Sequence, residues 1–398
     1  MLGLAGALAV GGAWLALGLR PSAATNTFVG SSSPEYRATQ AYYASFGEEP
    51  IEVLVQGSLQ RTLAAANLVR LAGLEGCLAG RVPVAALRSA GGRHGPCGRL
   101  EAMGAVRVVV GPGTFVNEAA LEIDEALARD ESKARKQAQE VRRTVYAQAL
   151  ARGEGATRAR SLSEEARKVT LASYGAEVAA LGVRYGITSP PALGNAEFVE
   201  ALVFDRAARA GTPKRRFAYL FPSPNAALIS VRLRAGLSEA RREEAISLIR
   251  RAVAMGQWRL AGGSYLVTGE PVIVSDLTGS LARAVELLLV AVVMVMAGAL
   301  SLVFAPRLRL LPLALALLAS ALTFGALALT GGSLTLGSLA VVPVLVGLAV
   351  DYAVQLQARA GEQLAEGVDV HAAVRAAALR GAPTIGAAAL ASAGAMLA

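Results

Sequence analysis

The sequence predicts an α-helical, polytopic membrane protein that carries one large α+β domain outside the bilayer. Three observations predict it. The apolar residues concentrate at the extreme N-terminus and after residue 285. Between them, residues 21–280 alternate strand-like runs with polar helical ones. Only 17% of the residues are charged while 54% are hydrophobic, against roughly 25% charged in soluble domains.

The spans follow from the apolar runs. Leu2 to Leu19 carries no charge and is long enough to cross. A secretory signal peptide cleaved near "SAAT" at Ser22 is the rival reading; the lack of a basic n-region favours a first transmembrane helix over residues 1–20. Residues 281–398 supply four more. The second span is Leu287 to Ala305, and the third is Leu310 to Thr330, with Pro312 tolerated in its first turn. The fourth runs from Leu334 to about Gln357. The fifth begins near Ala382 and is still apolar at Ala398.

Orientation follows from the short loops. "APRLR" between spans two and three holds Arg307 and Arg309, and Arg359, Arg375 and Arg380 follow span four. Basic loops stay inside, so both face the cytoplasm. Parity then places residues 21–280 outside, together with the uncharged loop "GGSL" at Gly331.

Within 21–280, "IEVLVQG" from Ile51 alternates like a strand and Leu59 to Leu74 reads as a helix. "VRVVVGPG" from Val106 reads as a strand ending in a turn. Asn117 to Tyr185 is rich in Ala, Glu and Arg and reads as two long helices broken near "ARGEGA" at Ala151, an inserted helical hairpin. Strand, helix and strand follow from Ala227, Ser238 and Ser264. Strands and helices with one polar helix face make an α+β sandwich.

Several chemistries are poorly supported. The net charge of +9 is almost all arginine, scattered along the chain, and the cluster "KRRF" at Lys214 is too short to track a nucleic-acid backbone. "GPGTFVNEA" from Gly111 lacks the Gly-Lys-Ser/Thr ending of a phosphate loop and reads as a turn and a helix start. His94 and His371, the only histidines, fall on opposite sides of the predicted membrane, and no nucleophile-elbow motif is present. The expectation is neither an enzyme nor a holder of a cofactor or metal. Cys77 and Cys97 are the only cysteines, both in the exterior domain, where a disulfide persists; two buried thiols are the other reading.

One residue stands against its surroundings. Asp351 lies in the apolar fourth span, eight residues before Arg359 and so about 12 Å inside that end of the helix. A carboxylate at the centre of a membrane helix costs roughly 2.5–3.5 kcal/mol. Gly347 and Pro343 precede it at i,i+4 steps and form one stripe with it. Glycine lets a neighbouring helix approach, and Tyr352 supplies an O–H next door. The stripe reads as a proton-relay site facing a helix bundle. An Asp351 that snorkels, or that pairs with Arg359, is the alternative.

"VLVGLAVDYAVQLQARAGEQLAEGVDVHAAVRAAALRGAPTIGAAALASAGAMLA" resembles the RND superfamily of secondary transporters, in its MMPL and hydrophobe/amphiphile efflux (HAE3-like) branch, which includes hopanoid and mycobacterial lipid exporters. The resemblance rests on Gly347-x-x-x-Asp351-Tyr352, the basic stretch ending at Arg380 and the small-residue fifth helix, and on "VTGEPVIVSDLTGSLARA" from Val267. It implies that 21–280 is a porter domain, that Asp351 and Tyr352 carry protons, and that lipids or other hydrophobic molecules are exported across a bacterial inner membrane. It also implies a second, matching half as partner, since the family has two repeats and this chain supplies one; a homo-oligomer is compatible with it. A non-transporting relative, sterol-sensing or membrane-assembly, is the alternative, as is a half inert alone. The substrate-contact residues of 21–280 have no motif.

Overall fold

The computed structural model describes residues 11–12, 21–22, 33–81, 91–303, 309–330 and 334–397. They fall into two units: Arg37–Ile273, and Met1–Tyr36 together with Val274–Ala398.

The first unit is built on a four-stranded antiparallel sheet in the order β3-β4-β2-β5. Its strands are β2 Ile51–Gln56, β3 Val106–Val110, β4 Ala226–Leu233 and β5 Ser264–Thr268. Alternation fixes the faces. Ile51, Val53 and Val55 of β2 and Ala227, Ile229, Val231 and Leu233 of β4 are fully buried. They pack against α3 (Ala65–Leu78), α4 (Pro96–Met103) and α8 (Glu239–Val253), which share one core with them. Leu68, Leu71, Leu74 and Leu78 follow the 3.6-residue period along α3 and have no exposed surface. A single turn, α2 (Leu59–Thr62), precedes α3, and α1 (Pro34–Phe46), which enters this unit, buries none of its residues. Opposite the helices, the sheet presents Glu52, whose carboxylate accepts from Ser230 Oγ at 2.7 and 2.8 Å.

From β3 the chain turns at Gly111 into α5 (Pro112–Ala151), 40 residues long, which returns as α6 (Ala156–Tyr185). At 1.5 Å per residue α5 is about 60 Å long. Only its first turns join the domain core, through Val116 and Ala120. Beyond them the hairpin is held by small residues, Ala134, Ala138 and Ala149 against Ala159 and Ser163, all buried. Arg142 pairs with Glu164 across it at 3.0 Å, and Tyr174 O–H donates to the Leu127 carbonyl at 3.2 Å. The sequence places the hairpin start at Asn117. The helix begins five residues earlier because Pro112, at its first position, has no N–H to lose there. The short α7 (Ala196–Val203) follows, capped by the Asn195 side chain, which accepts from Phe198 N.

Two devices on α3 tie these helices down. Cys77 is bonded to Cys97 of α4, with Cα atoms 4.8 Å apart and a sequence separation of 20. Closing such a loop stabilises the fold by about 3 kcal/mol on the chain-entropy estimate. Cys77→Ser is expected to lower unfolding stability by that amount and to abolish a mobility shift on non-reducing gels. Two alkylatable thiols in the folded, unreduced protein would contradict the bond. Two residues earlier stands Glu75, only 1% exposed. Its carboxylate accepts from Gly113 N at 2.9 Å, from Thr114 N and from Thr114 Oγ1, and so caps α5 from another helix.

The second unit is helical. Among the described residues two helices are long and apolar enough to cross a membrane, α9 (Glu270–Val303) and α10 (Leu311–Leu329). Two further long helices follow, α11 (Leu336–Ala365) and α12 (Val370–Leu397). The predicted span two starts at Leu287, whereas α9 begins at Glu270, and the predicted span five starts near Ala382, whereas α12 begins at Val370. In both, apolarity sets the predicted limit. The helix itself continues through Ala, Leu and Arg, which are good helix formers regardless of charge. Pro383 lies inside α12.

Of the first predicted span the described residues include only Gly11 and Gly12, and the rest lies outside them. Gly12 is buried on α10: a Cβ there would stand 2.8 Å from the Ala321 carbonyl oxygen, and a Cβ on Gly325 would stand 2.7 Å from Gly12 Cα. Two backbones meet at this crossing, which is how membrane helices associate through small residues. A two-residue parallel pairing, Pro21 with Leu334 and Ser22 with Thr335, joins β1 (Pro21–Ser22) to β6 (Leu334–Thr335). Arg307 and Gly331 lie outside the described residues.

Candidate functional site

α11 carries the residues singled out in the sequence. Its inner face is apolar. Val346 and Val350 are buried, and Val350 packs with Leu300 of α9 and with Leu313 and Ala316 of α10. Asp351 is one residue further on, so about 100° around the helix from Val350. It is exposed, on a stripe with Val344, Leu348 and Gln355, all of them exposed as well. The 4-3-4 spacing of these residues keeps them on one side of the helix. This side is left uncovered by the described helices of the bundle.

Asp351 has one hydrogen-bond partner among the described residues. Gln355 Nε2, an i,i+4 neighbour, donates to Asp351 Oδ2 at 3.1 Å. Among the described residues no ion pair joins Asp351 to Arg359. Tyr352 is half-buried, rotated from Asp351 toward the bundle side. Pro343, inside the helix, is half-buried too. Gly347 is at no helix contact among the described residues, since a Cβ there would meet no described atom within 4 Å. The close approach expected beside Asp351 is therefore not made by α9, α10 or α12. Among the described residues no helix fills the space in front of Gly347 and Asp351.

Below Gln355, α11 and α12 leave a cleft lined by Gln355, Leu356, Arg359, Gly381, Thr384 and Ile385. Gln355 thus touches both the carboxylate and the cleft. The sequence reading passed over Gln355. Its signal was available, since a glutamine four residues after a membrane-helix carboxylate shares its face.

The anion reading of "GPGTFVNEA" has a structural answer. The amides of Gly113 and Thr114, which would meet a phosphate at the start of α5, are already taken by Glu75. Burial pushes the Glu75 carboxyl up to about 7, against the opposing effect of its hydrogen bonds from Thr114 and Gly113. Among the described residues no group of three or more His, Cys, Asp or Glu side chains is placed to hold a metal ion.

Comparison with known proteins gives one result. The model of the MMPL family matches residues 196–398, just over half of the chain, from α7 through the whole described helical bundle. No curated protein matches the chain.

Proposed function

The chain belongs to the MMPL family of membrane-integral, RND-type transporters of hydrophobic molecules, and from that premise we propose that it is the N-terminal half of a proton-motive-force-driven exporter. Asp351 takes and releases the coupling proton, and Tyr352 assists beside it. The substrate is a lipid or another hydrophobic molecule, received by an extracytoplasmic porter domain over residues 21–280, with 117–185 as its helical hairpin. The membrane is the bacterial inner membrane.

The observation that carries this reading is the open stripe of α11. A carboxylate and an amide on one side of a helix in such a bundle, with no described helix against them, are costly toward lipid. A matching helix from a second half removes that cost. It also desolvates Asp351, which is what a residue that exchanges protons requires. Gly347 leaves room for that helix, and Pro343 lies one i,i+4 step further along the same stripe.

The test is transport of a lipophilic reporter by the complete protein in liposomes under an imposed proton gradient. Uptake that follows the gradient and collapses with a protonophore is expected; uptake indifferent to it would refute the coupling. Topology is checked separately, in cells. A cysteine at position 150 is expected to react with an impermeant reagent in whole cells and one at position 307 is not. The reverse pattern would invert the orientation and remove the porter assignment.

A further inference from the structure

Two carboxyl groups are buried among the described residues of the Arg37–Ile273 unit, Glu48 and Glu75. Glu48 is neutralised by Arg242 at 2.8 Å. Glu75 has no ion pair among the described residues. What faces it from α5 is the Gly113 and Thr114 amides, the Thr114 hydroxyl and the like charge of Glu118. From β5 comes Tyr265, whose O–H is given to the Trp258 carbonyl and whose own ionisation the charge of Glu75 opposes. Arg70, on α3 itself, acts on that tyrosine. β4 turns Ile229 toward Gly111, and α4 and α8 join α3 in the apolar core with Leu100, Leu248 and Ile249. Arg107 of β3, Arg99 of α4 and Arg242 of α8 are engaged elsewhere, on the Ala44 and Ser45 carbonyls, on Glu244 and on Glu48. An ionised carboxylate in such a site is desolvated and repelled, and a neutral one is not. The Thr114 hydroxyl serves either form, since it donates to a carboxylate or accepts from a carboxyl O–H.

The same contact is where the long hairpin joins the unit. α5 reaches the core only through its first turns, with Val116 and Ala120 buried and Phe115 against Phe217, ring centroids 4.8 Å apart. The fit to α3 is tight there: a Cβ on Gly113 would stand 2.5 Å from Ala72 N. α3 is the fixed side. Its leucines have no exposed surface, and Cys77 is bonded to Cys97. Beyond Ala120, α5 runs on to Ala151, about 45 Å of helix. A tilt of about 10° at the base therefore carries the far end by about 8 Å.

We propose that Glu75 is a proton-operated latch on the α5–α6 hairpin: the protonated carboxyl holds the first turn of α5 on α3, and loss of the proton releases that turn and lets the hairpin swing. On release the carboxyl O–H bond breaks, the proton passes to water admitted as the turn lifts, and the Gly113 and Thr114 amides turn to water. Burial carries the carboxyl of the closed latch from an ordinary 4.5 up to about 7. A closed-state value above the open one means that opening is rarest below pH 4.5, rises about tenfold per pH unit up to about 7, and levels off above it. On the orientation proposed above, this unit faces the acid side of the proton gradient, so the hairpin is held while the gradient stands. That consequence rests on the orientation, whereas the latch does not.

The experiment uses the full chain in detergent with its disulfide intact, between pH 5 and 8, so a wrong orientation leaves it untouched. One readout is amide hydrogen exchange of residues 112–120, as protection factors corrected for the intrinsic rate at each pH. The other is the distance distribution between spin labels on Leu150→Cys and Arg251→Cys, both exposed positions. Protection of 112–120 is expected to fall about tenfold per pH unit from pH 5 to 7 and to level off, while that of α8 holds and the label distances broaden over the same range. Glu75→Gln, neutral at every pH, removes both dependences. Glu118→Gln, at an exposed position, reaches its level at a lower pH because a like charge is gone. Protection of 112–120 that is flat with pH in wild type would overturn the proposal. So would the same fall in Glu75→Gln, or a fall in α8 in step with it, which means global unfolding. Should Glu75→Gln fail to fold, Glu118→Gln decides: a level reached at the wild-type pH or above it overturns the latch.

Discussion

Asp351→Asn, in the complete protein, is expected to abolish gradient-driven transport and to leave insertion and folding intact. Asparagine keeps the shape of the side chain and can still accept from Gln355 Nε2, but it cannot exchange a proton, so the substitution isolates the charge change. Stability gives no reason for failure. Replacing the carboxylate removes a penalty of roughly 2.5–3.5 kcal/mol for Asp in a membrane helix, so Asp351→Asn expresses at least as well as wild type. Tyr352→Phe removes one hydrogen-bonding group beside the carrier and leaves the carrier, so its expected loss is about tenfold. An Asp351 that served only to snorkel or to pair with Arg359 makes the opposite forecast. Asp351→Asn would then be nearly neutral, and Arg359→Ala would be as harmful as any change in the stripe. Reporter flux at matched expression separates the two: full gradient-dependent flux in Asp351→Asn returns the residue to a structural role.

The parts of this molecule that were legible in its sequence are those governed by local periodicity. The strands from Ile51 and Ala227 alternate because one face of the sheet packs on helices and the other does not, and alternation is written in adjacent residues; β3 from Val106 does not alternate and carries a register shift. The two long hairpin helices were legible from composition. Asp351 was legible by contrast, one charge in an apolar run. What the sequence could not give is whatever depends on pairing across distance. Strand order β3-β4-β2-β5 interleaves segments far apart in the chain. The group that caps α5, Glu75, comes from 38 residues upstream of Gly113. Gly12 and Gly325 each look like any small residue in an apolar run, and only their meeting gives them a role. Gln355 sits in plain view in "DYAVQLQAR", yet its significance lies in a contact to Asp351 and in the cleft with α12. The helices α9 and α12 run beyond the spans the sequence predicts for another reason: apolarity marks where a helix meets lipid, and the helix continues past that point.

Glu75→Ala is expected to destabilise the Arg37–Ile273 unit by about 4 kcal/mol, because it leaves buried donors without partners and opens a cavity. Three donors lose their acceptor at once: Gly113 N, Thr114 N and Thr114 Oγ1. They form the first turn of α5, so the base of the whole hairpin loosens with them. Gly111 gives no substitute, since a Cβ on it would stand 2.5 Å from Glu75 Oε1, and the backbone there already fits against the carboxylate. Glu75→Gln keeps one carbonyl acceptor and costs less, about 1–2 kcal/mol. The same residue sets a pH dependence. Burial, with Glu118 adding like charge, carries the Glu75 carboxyl from an ordinary 4.5 up to about 7. A folded-state value above the unfolded one means that the fold prefers the protonated form. The stability this residue contributes is therefore complete below pH 4.5, declines as the pH rises, and is lost once the pH passes about 7. A difference of that size corresponds to about 3 kcal/mol across the window. Other carboxylates pull the opposite way, among them Glu164 beside Arg167 and Arg142, and Glu197, which accepts from Thr188. The measurement that isolates Glu75 is consequently a difference: denaturant unfolding of the complete protein in detergent, followed by Trp fluorescence, for wild type minus Glu75→Gln between pH 4.5 and 8. The difference is expected to fall by about 3 kcal/mol as the pH rises to 7, so that it changes sign, and to stay constant above it. A difference that is flat over the whole range, or that grows with pH, would show that the three donors outweigh burial and that Glu75 is ionised throughout as a charged cap on α5.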